Sequence, residues 1–271
     1  MKKIKKDAYK SDKKTLLLSI VLLIIIFSMI FKIGSYIIEM FQNEKYVEDL
    51  QELVLIMDTE EINIDDTDNM DNTEHDKVEN TTQIIVPKSI DFTTLYEISD
   101  NVVAWIYDPG MKINYVIAQA TDNDYYLRHQ LNGKRNKNGT IFMDYRNDSD
   151  FSDWNTLIHG HNMKSGAMFA SLKNYCEPGY YEEHPVMYLY VPGQRYKLEL
   201  LFGYTTTASD AIYQLPNSKK ERDAILDKAY RLSTFESNIR PEETDRLVTL
   251  STCSHAYDNG RYIVVGRLVA E

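Results

Sequence analysis

Leu247-Val248-Thr249-Leu250-Ser251-Thr252-Cys253 and, after a gap of seven residues, Arg261-Tyr262-Ile263-Val264-Val265-Gly266-Arg267-Leu268-Val269 stand near the end of the chain. Both runs are short and rich in Val, Ile, Thr and Leu, as strands are. The gap, Ser254 to Gly260, ends in Asp258-Asn259-Gly260, a strong turn signal. Antiparallel pairing of the two runs makes Cys253 and Arg261 near neighbours across the ladder. A free cysteine titrates at about 8.5, and an adjacent positive charge lowers that value. The thiolate, not the thiol, attacks carbonyl carbons. A guanidinium keeps its proton at every relevant pH. Arg261 can therefore support a thiolate, hold a substrate carbonyl, or stabilise the oxyanion of a tetrahedral intermediate.

The same short-strand character extends back from this pair. Val102 to Tyr107 is closed by the turn Asp108-Pro109-Gly110. Ile113 to Gln119, Gly139 to Asp144, Trp154 to His159, Val186 to Val191 and Tyr196 to Thr205 follow. Many short strands separated by Gly, Pro, Asn and Asp turns indicate a mainly β domain, a barrel or a sandwich. Three helices are expected around it: Phe92 to Ser99, Ala167 to Tyr175 and the longest, Ser218 to Ser237. Ser218 with Glu221 three residues on forms a capping box, and Ala224, Ile225, Ala229 and Leu232 recur near helical spacing.

Charge is unevenly distributed. The net −11 is concentrated in residues 44–79, where fourteen acidic residues oppose only Lys45 and Lys77. Residues 1–14 are basic, with seven lysines against Asp7 and Asp12. No basic stripe or nucleic-acid motif is present, which argues against nucleic-acid binding. Thr15 to Phe31 is an uncharged, mostly aliphatic run of seventeen residues that continues past Lys32 to Ile38. As a helix it rises about 25 Å, and continuation to Ile38 brings it toward a hydrocarbon core of about 30 Å. A cleaved leader is disfavoured by the length of the run and the lack of an A-x-A-like site. A soluble helix is disfavoured because the run is apolar all round. The expectation is a basic tail at 1–14, a single anchor at 15–38 held by membrane lipid, and an acidic stalk at 39–83. Lysines before the span place the N-terminus in the cytoplasm and the body of the protein outside.

Within the stalk, Val47 to Met57 suits a short helix, and Asp58 to Glu79 has too few apolar residues to fold alone. The two cysteines, Cys176 and Cys253, are expected as free thiols, since pairing would block the nucleophile. Cys176 is expected to be a small buried residue.

A cysteine nucleophile needs an acid for the departing amine, usually a histidine. His159-Gly160-His161-Asn162 ends one strand pattern and enters a loop. Local pattern alone leaves His159 and His161 open. His255 lies close to Cys253 in sequence, and His129 and His184 are further candidates. His-x-His also suits zinc, but no third and fourth ligand stand at a recognisable spacing, so no metal and no cofactor is expected. Each residue has a plain structural reading: a buried thiol, a solvated arginine, a loop histidine. Their joint placement at strand ends carries the functional one.

Leu250-Ser251-Thr252-Cys253 with Arg261 resembles the active-site signature of the sortases, cysteine transpeptidases of Gram-positive bacteria. Thr156-Leu157-Ile158-His159-Gly160-His161-Asn162-Met163, with Met168-Phe169 and Leu172, is similar to their histidine segment, in which the matching histidine is His161. Asn123-Asp124-Tyr125-Tyr126-Leu127 and Lys137 to Arg146 look like the class B subgroup. The resemblance covers roughly residues 84–269. It departs at Val116, where a proline is more usual, and at His159, where an aromatic residue is more usual.

The resemblance implies a closed barrel of about eight strands with peripheral helices over residues 84–271. Cys253, His161 and Arg261 would sit at one end of a groove, Leu250 and Thr252 would line it, and Ser251 would face away. It implies cleavage of a C-terminal sorting signal after threonine through a Cys thioester, with transfer of the surface protein to an amine of a lipid-linked cell-wall peptide. Two other readings use the same residues: a cysteine peptidase with water as acceptor, and a non-catalytic surface-binding barrel.

Overall fold

In the computed structural model, residues 2–54, 59–64, 82–110, 112–214, 216, 218–254 and 259–271 are described. His255, the Asp258 of the expected turn and most of the acidic stalk lie outside the described residues. Two compact units are present, Met1–Asp49 and Leu50–Glu271.

Helix α1 runs without a break over Lys2–Val54. The expected anchor and the expected short helix after it are therefore one element. It is long and apolar enough to cross a membrane. Its last turn belongs to the second unit: Leu50 and Val54 are buried, the Val54 carbonyl accepts from the Asp91 N–H at 3.0 Å, and Gln51 Nε2 donates to the Asn114 carbonyl at 2.7 Å. The folded unit thus begins at Leu50, not near residue 84. Strand β1 (Thr59–Ile64) pairs antiparallel with β2 (Thr82–Pro87) as a separate ribbon. Composition alone marked Thr59–Ile64 as unfolded, and a partner strand outweighs that composition.

Helix α2 (Phe92–Ile98) is capped by Asp91, whose carboxylate accepts from the Thr94 N–H. Then come β3 (Val102–Tyr107), β4 (Asn114–Ala118), β5 (Ile141–Met143), β6 (Asn155–Gly160), a short helix α3 (Tyr180–Glu183), β7 (Val186–Val191) and β8 (Gln194–Thr207). Helix α4 (Lys219–Leu232), β9 (Leu247–Cys253) and β10 (Gly260–Ala270) complete the order. The eight strands from β3 to β10 close into a barrel in the order β10-β8-β7-β3-β4-β5-β6-β9. Two of its pairings, β4 with β5 and β6 with β9, are parallel.

Alternation along each strand sorts side chains into two apolar layers. Ile106, Ile117, Ile158, Leu189, Val248 and Leu250 belong to the barrel core. Leu157, Leu201, Ile263 and Val265 form a second cluster with Ile225 and Ala229 of α4. Ser218 caps α4 as expected, accepting from the Glu221 N–H at 3.3 Å. The helix ends at Leu232, short of the expected Ser237. Gly139 turns the chain into β5 at φ +61°, where a Cβ would strike the Tyr126 carbonyl.

Candidate active site

The site is built on the ends of neighbouring strands. In the β9–β10 ladder Cys253 pairs directly with Arg261. In the parallel β6–β9 ladder His159 pairs with Ser251 and Gly160 with Thr252. On the other side of β6, Phe142 pairs with His159. His161 is the first residue beyond the end of β6. A cleft of about 430 Å³ has His159, His161, Ser251, Thr252, Cys253 and Arg261 among its lining residues. Cys253 is a partly exposed free thiol.

The histidine segment is held by specific contacts. His161 Nε2 lies 2.9 Å from the Leu127 carbonyl oxygen. A carbonyl only accepts, so Nε2 carries a hydrogen and Nδ1 is the nitrogen left to exchange a proton. Asn162 Nδ2 donates to the Cys253 carbonyl at 2.8 Å, tying the loop after β6 to the end of β9. The Phe169 N–H donates to the His161 carbonyl at 3.0 Å. Gly160 separates the two histidines because the buried Phe169 ring covers it; a Cβ there would come within 2.6 Å of the ring.

A second set of residues walls the cleft. Buried Asp144 accepts from Arg146 Nε at 2.8 Å and Arg146 Nη2 at 2.9 Å, and from Asn123 Nδ2 at 2.9 Å. His159 Nε2 approaches it at 3.4 Å. Burial would raise the Asp144 carboxyl, but hydrogen bonds from His159, Arg146 and Asn123 outweigh it and hold the group far below the usual carboxylate range. Tyr213 shares a 2.7 Å hydrogen bond with the Ser251 hydroxyl. Burial pushes its phenol up to about 12, although the Ser251 bond and the Arg261 charge pull the other way. Asp210 fixes the turn that carries Tyr213, accepting from the Ile212 N–H at 3.0 Å and from Lys228 Nζ at 2.7 Å.

The structure brings together Cys253, Arg261, His161 and Thr252 at the cleft. Leu250 is corrected: it is fully buried in the barrel core and does not line the cleft. Ser251, expected to face away, lines it instead. Ser251, two residues from Cys253, is on the outward set that meets the cleft, while Leu250 and Val248 fill the barrel. Thr252 reaches the cleft at the strand end, with its hydroxyl buried and unbonded among the described residues. His129 stacks on Tyr125 and His184 on Tyr180, away from the cleft lining. Cys176 is exposed, contrary to expectation, and unpaired with Cys253. Sequence reasoning gave no role to Asp144, Arg146 and Tyr213. The first two stand in the Met143-Asp144-Tyr145-Arg146 run at a strand end, where an acid and a base two apart were a readable signal. Tyr213 lies in a loop without one.

A family model described as the sortase domain matches residues 106–269. The chain belongs to the sortase family. This sortase is similar to Sortase B of Listeria monocytogenes, with 37% identity over 183 residues, 65% of this chain and 73% of that protein. Among solved structures it is similar to sortase B from B. anthracis, with TM-score 0.68 and 30% identity over 87% of this chain and all of that one. It is also similar to the Staphylococcus aureus sortase B–substrate complex, with TM-score 0.62 and 30% identity, over 66% of this chain and 84% of that one. The closed eight-stranded barrel agrees with these neighbours. This sortase is a transpeptidase of class B. Membership implies a protein substrate and a peptide amine acceptor.

Proposed function

We propose that this sortase cleaves a C-terminal sorting signal after threonine and joins the surface protein to an amine of a lipid-linked cell-wall peptide. The direct pairing of Cys253 with Arg261, beside a cleft that His161 also lines, is the observation that carries this reading. The Cys253 thiolate attacks the threonine carbonyl carbon, and the carbonyl π electrons move to oxygen, where the Arg261 guanidinium stabilises them. Collapse breaks the C–N bond, and the departing nitrogen takes a proton from Nδ1 of His161. The product is a thioester on Cys253. The acceptor amine attacks that thioester, loses a proton to Nδ1 of His161, and expels the thiolate as the new amide forms. The hydrogen bond from Nε2 to the Leu127 carbonyl supports Nδ1 as the exchanging nitrogen. Leu127 and Asn162 are thus positioning residues for the two reacting side chains. In this reading α1 is a single-pass anchor with a cytoplasmic N-terminus, and the cleft works outside the cell.

The test uses the full chain in detergent micelles with a library of sorting-signal peptides, with and without cell-wall amines. An acyl adduct mapped to Cys253, converted to an amide product when amine is added, is the expected result. Hydrolysis alone, unchanged by any amine, would instead make the protein a peptidase. Arg261→Lys should lower the acylation rate about 100-fold, because a point charge does not reproduce the planar fork. An unimpaired Lys variant would remove Arg261 from the mechanism.

A further inference from the structure

We propose that Tyr115 and Met168, neither of which lines the cleft, are positioning residues for His161, because they hold the segment that returns after it in a strained backbone conformation. The proposal rests on the transpeptidase reading above, in which His161 protonates the departing amine, and adds the device that keeps His161 in place.

The β6 ladder stops at Gly160, one residue short of His161. The segment from His161 to Phe169 closes on itself instead. The Phe169 N–H donates to the His161 carbonyl at 3.0 Å, and Asn162 bridges Met168 in antiparallel register. Asn162 also donates to the Cys253 carbonyl. The return at Met168 therefore bears on both reacting residues.

That return is strained. Met168 stands at φ +59°, in the left-handed region that side chains disfavour. Gly166, two residues earlier, takes φ +88° with open space around it and without that cost. A glycine at 168 would relieve the strain, yet the chain carries a methionine there. Such a conformation persists only where its surroundings over-determine it, and here two kinds of contact do so. Met168 is 3% exposed and belongs to the barrel core together with Phe169. Its N–H donates to the Tyr115 hydroxyl at 3.0 Å. Tyr115 stands on β4, a strand that does not pair with β6, and packs against the same core. The Tyr115 oxygen thus holds one N–H, and the next N–H along the chain holds His161. Without that oxygen a buried N–H is left unbonded, and the segment relaxes toward an unstrained backbone. The Phe169 N–H then moves, and His161 with it. A shift of about 1 Å in a catalytic group lowers a rate by up to about 100-fold.

The experiment uses the full chain in detergent micelles and two forms of one acylating peptide. In the first the scissile bond is the natural amide. In the second the threonine carbonyl carries a p-nitrophenyl ester, whose leaving group departs as an anion and needs no proton. The amide-to-ester ratio of Cys253 acylation rates therefore reads the acid. A merely structural role lowers both rates with the folded fraction and leaves the ratio intact. Tyr115→Phe should lower the ratio about tenfold, with KM for the amide within about twofold of the wild-type value. Met168→Ala and Met168→Gly lose nearly the same buried side chain, but only glycine takes φ +59° without strain. The Gly variant should keep a ratio about fivefold above that of the Ala variant. An unchanged ratio in Tyr115→Phe, or equal ratios in the Met168 pair, overturns the proposal, and either comparison decides alone where the other variant does not fold. No acylation of the wild type by any peptide amide would overturn the transpeptidase reading, and this proposal with it; acylation with these ratios unchanged overturns the proposal alone.

Discussion

The two faces of β9 do different work. Val248 and Leu250 point into the barrel core, where both are fully buried. Thr249 and Ser251 point outward and hydrogen-bond to Asn155 and Tyr213. Cys253, the proposed nucleophile, follows the outward set. A closed barrel uses its inner face for packing, so chemistry has only its ends and outer surface. The inner face can therefore be altered only at a cost in stability, whereas the outer face also carries the proposed chemistry.

The largest separation of the two faces should come from Cys253→Ala. It should remove acylation completely while unfolding stays cooperative at close to the wild-type temperature, because the side chain is small and partly exposed. Collapse of the fold in that variant would make the thiol structural and break the contrast. Leu250→Ala should do the reverse. A buried leucine truncation costs about 3 kcal/mol, read as a lower denaturant midpoint, while the folded fraction keeps its rate per molecule.

Asp144, beyond the end of β5, tests the outer face through pH. Its folded value lies below the ordinary one, so the stabilisation it provides is complete above about pH 4 and is lost as pH falls through the folded value. Asp144→Asn should be less stable than wild type at neutral pH, and the gap should narrow between about pH 4 and pH 2. A gap independent of pH in denaturant titrations would show that the carboxylate charge contributes nothing. The smallest effect is expected from Ser251→Ala, which leaves the Tyr213 hydroxyl without its partner at a cost of about 1 kcal/mol.

Most strands were readable in the sequence, because turn residues bound them and β-branched residues fill them. The pairing of Cys253 with Arg261 was readable too, since a short connection between two adjacent strands leaves little freedom of register. The choice of His161 over His159 came from family resemblance. Both line the cleft, so exposure alone does not separate them. The misreading of Leu250 has a simple cause. Alternation divides β9 into two sets but does not say which faces inward, and both sets here are small or apolar. The β1–β2 ribbon was hidden for another reason: acidic composition argues against folding, and the pairing that overrides it is between segments seventeen residues apart. Tyr213 depends on the Asp210 network with α4, a tertiary contact with no local pattern.

The position of β10 between β8 and β9 has a consequence for biosynthesis. β10 follows every other barrel strand in the chain, and it supplies both the closing seam and Arg261. During translation the thiol of Cys253 emerges before the guanidinium that it pairs with. A nascent chain thus holds its cysteine without the completed barrel, and the Cys253–Arg261 pair forms only with the final seam.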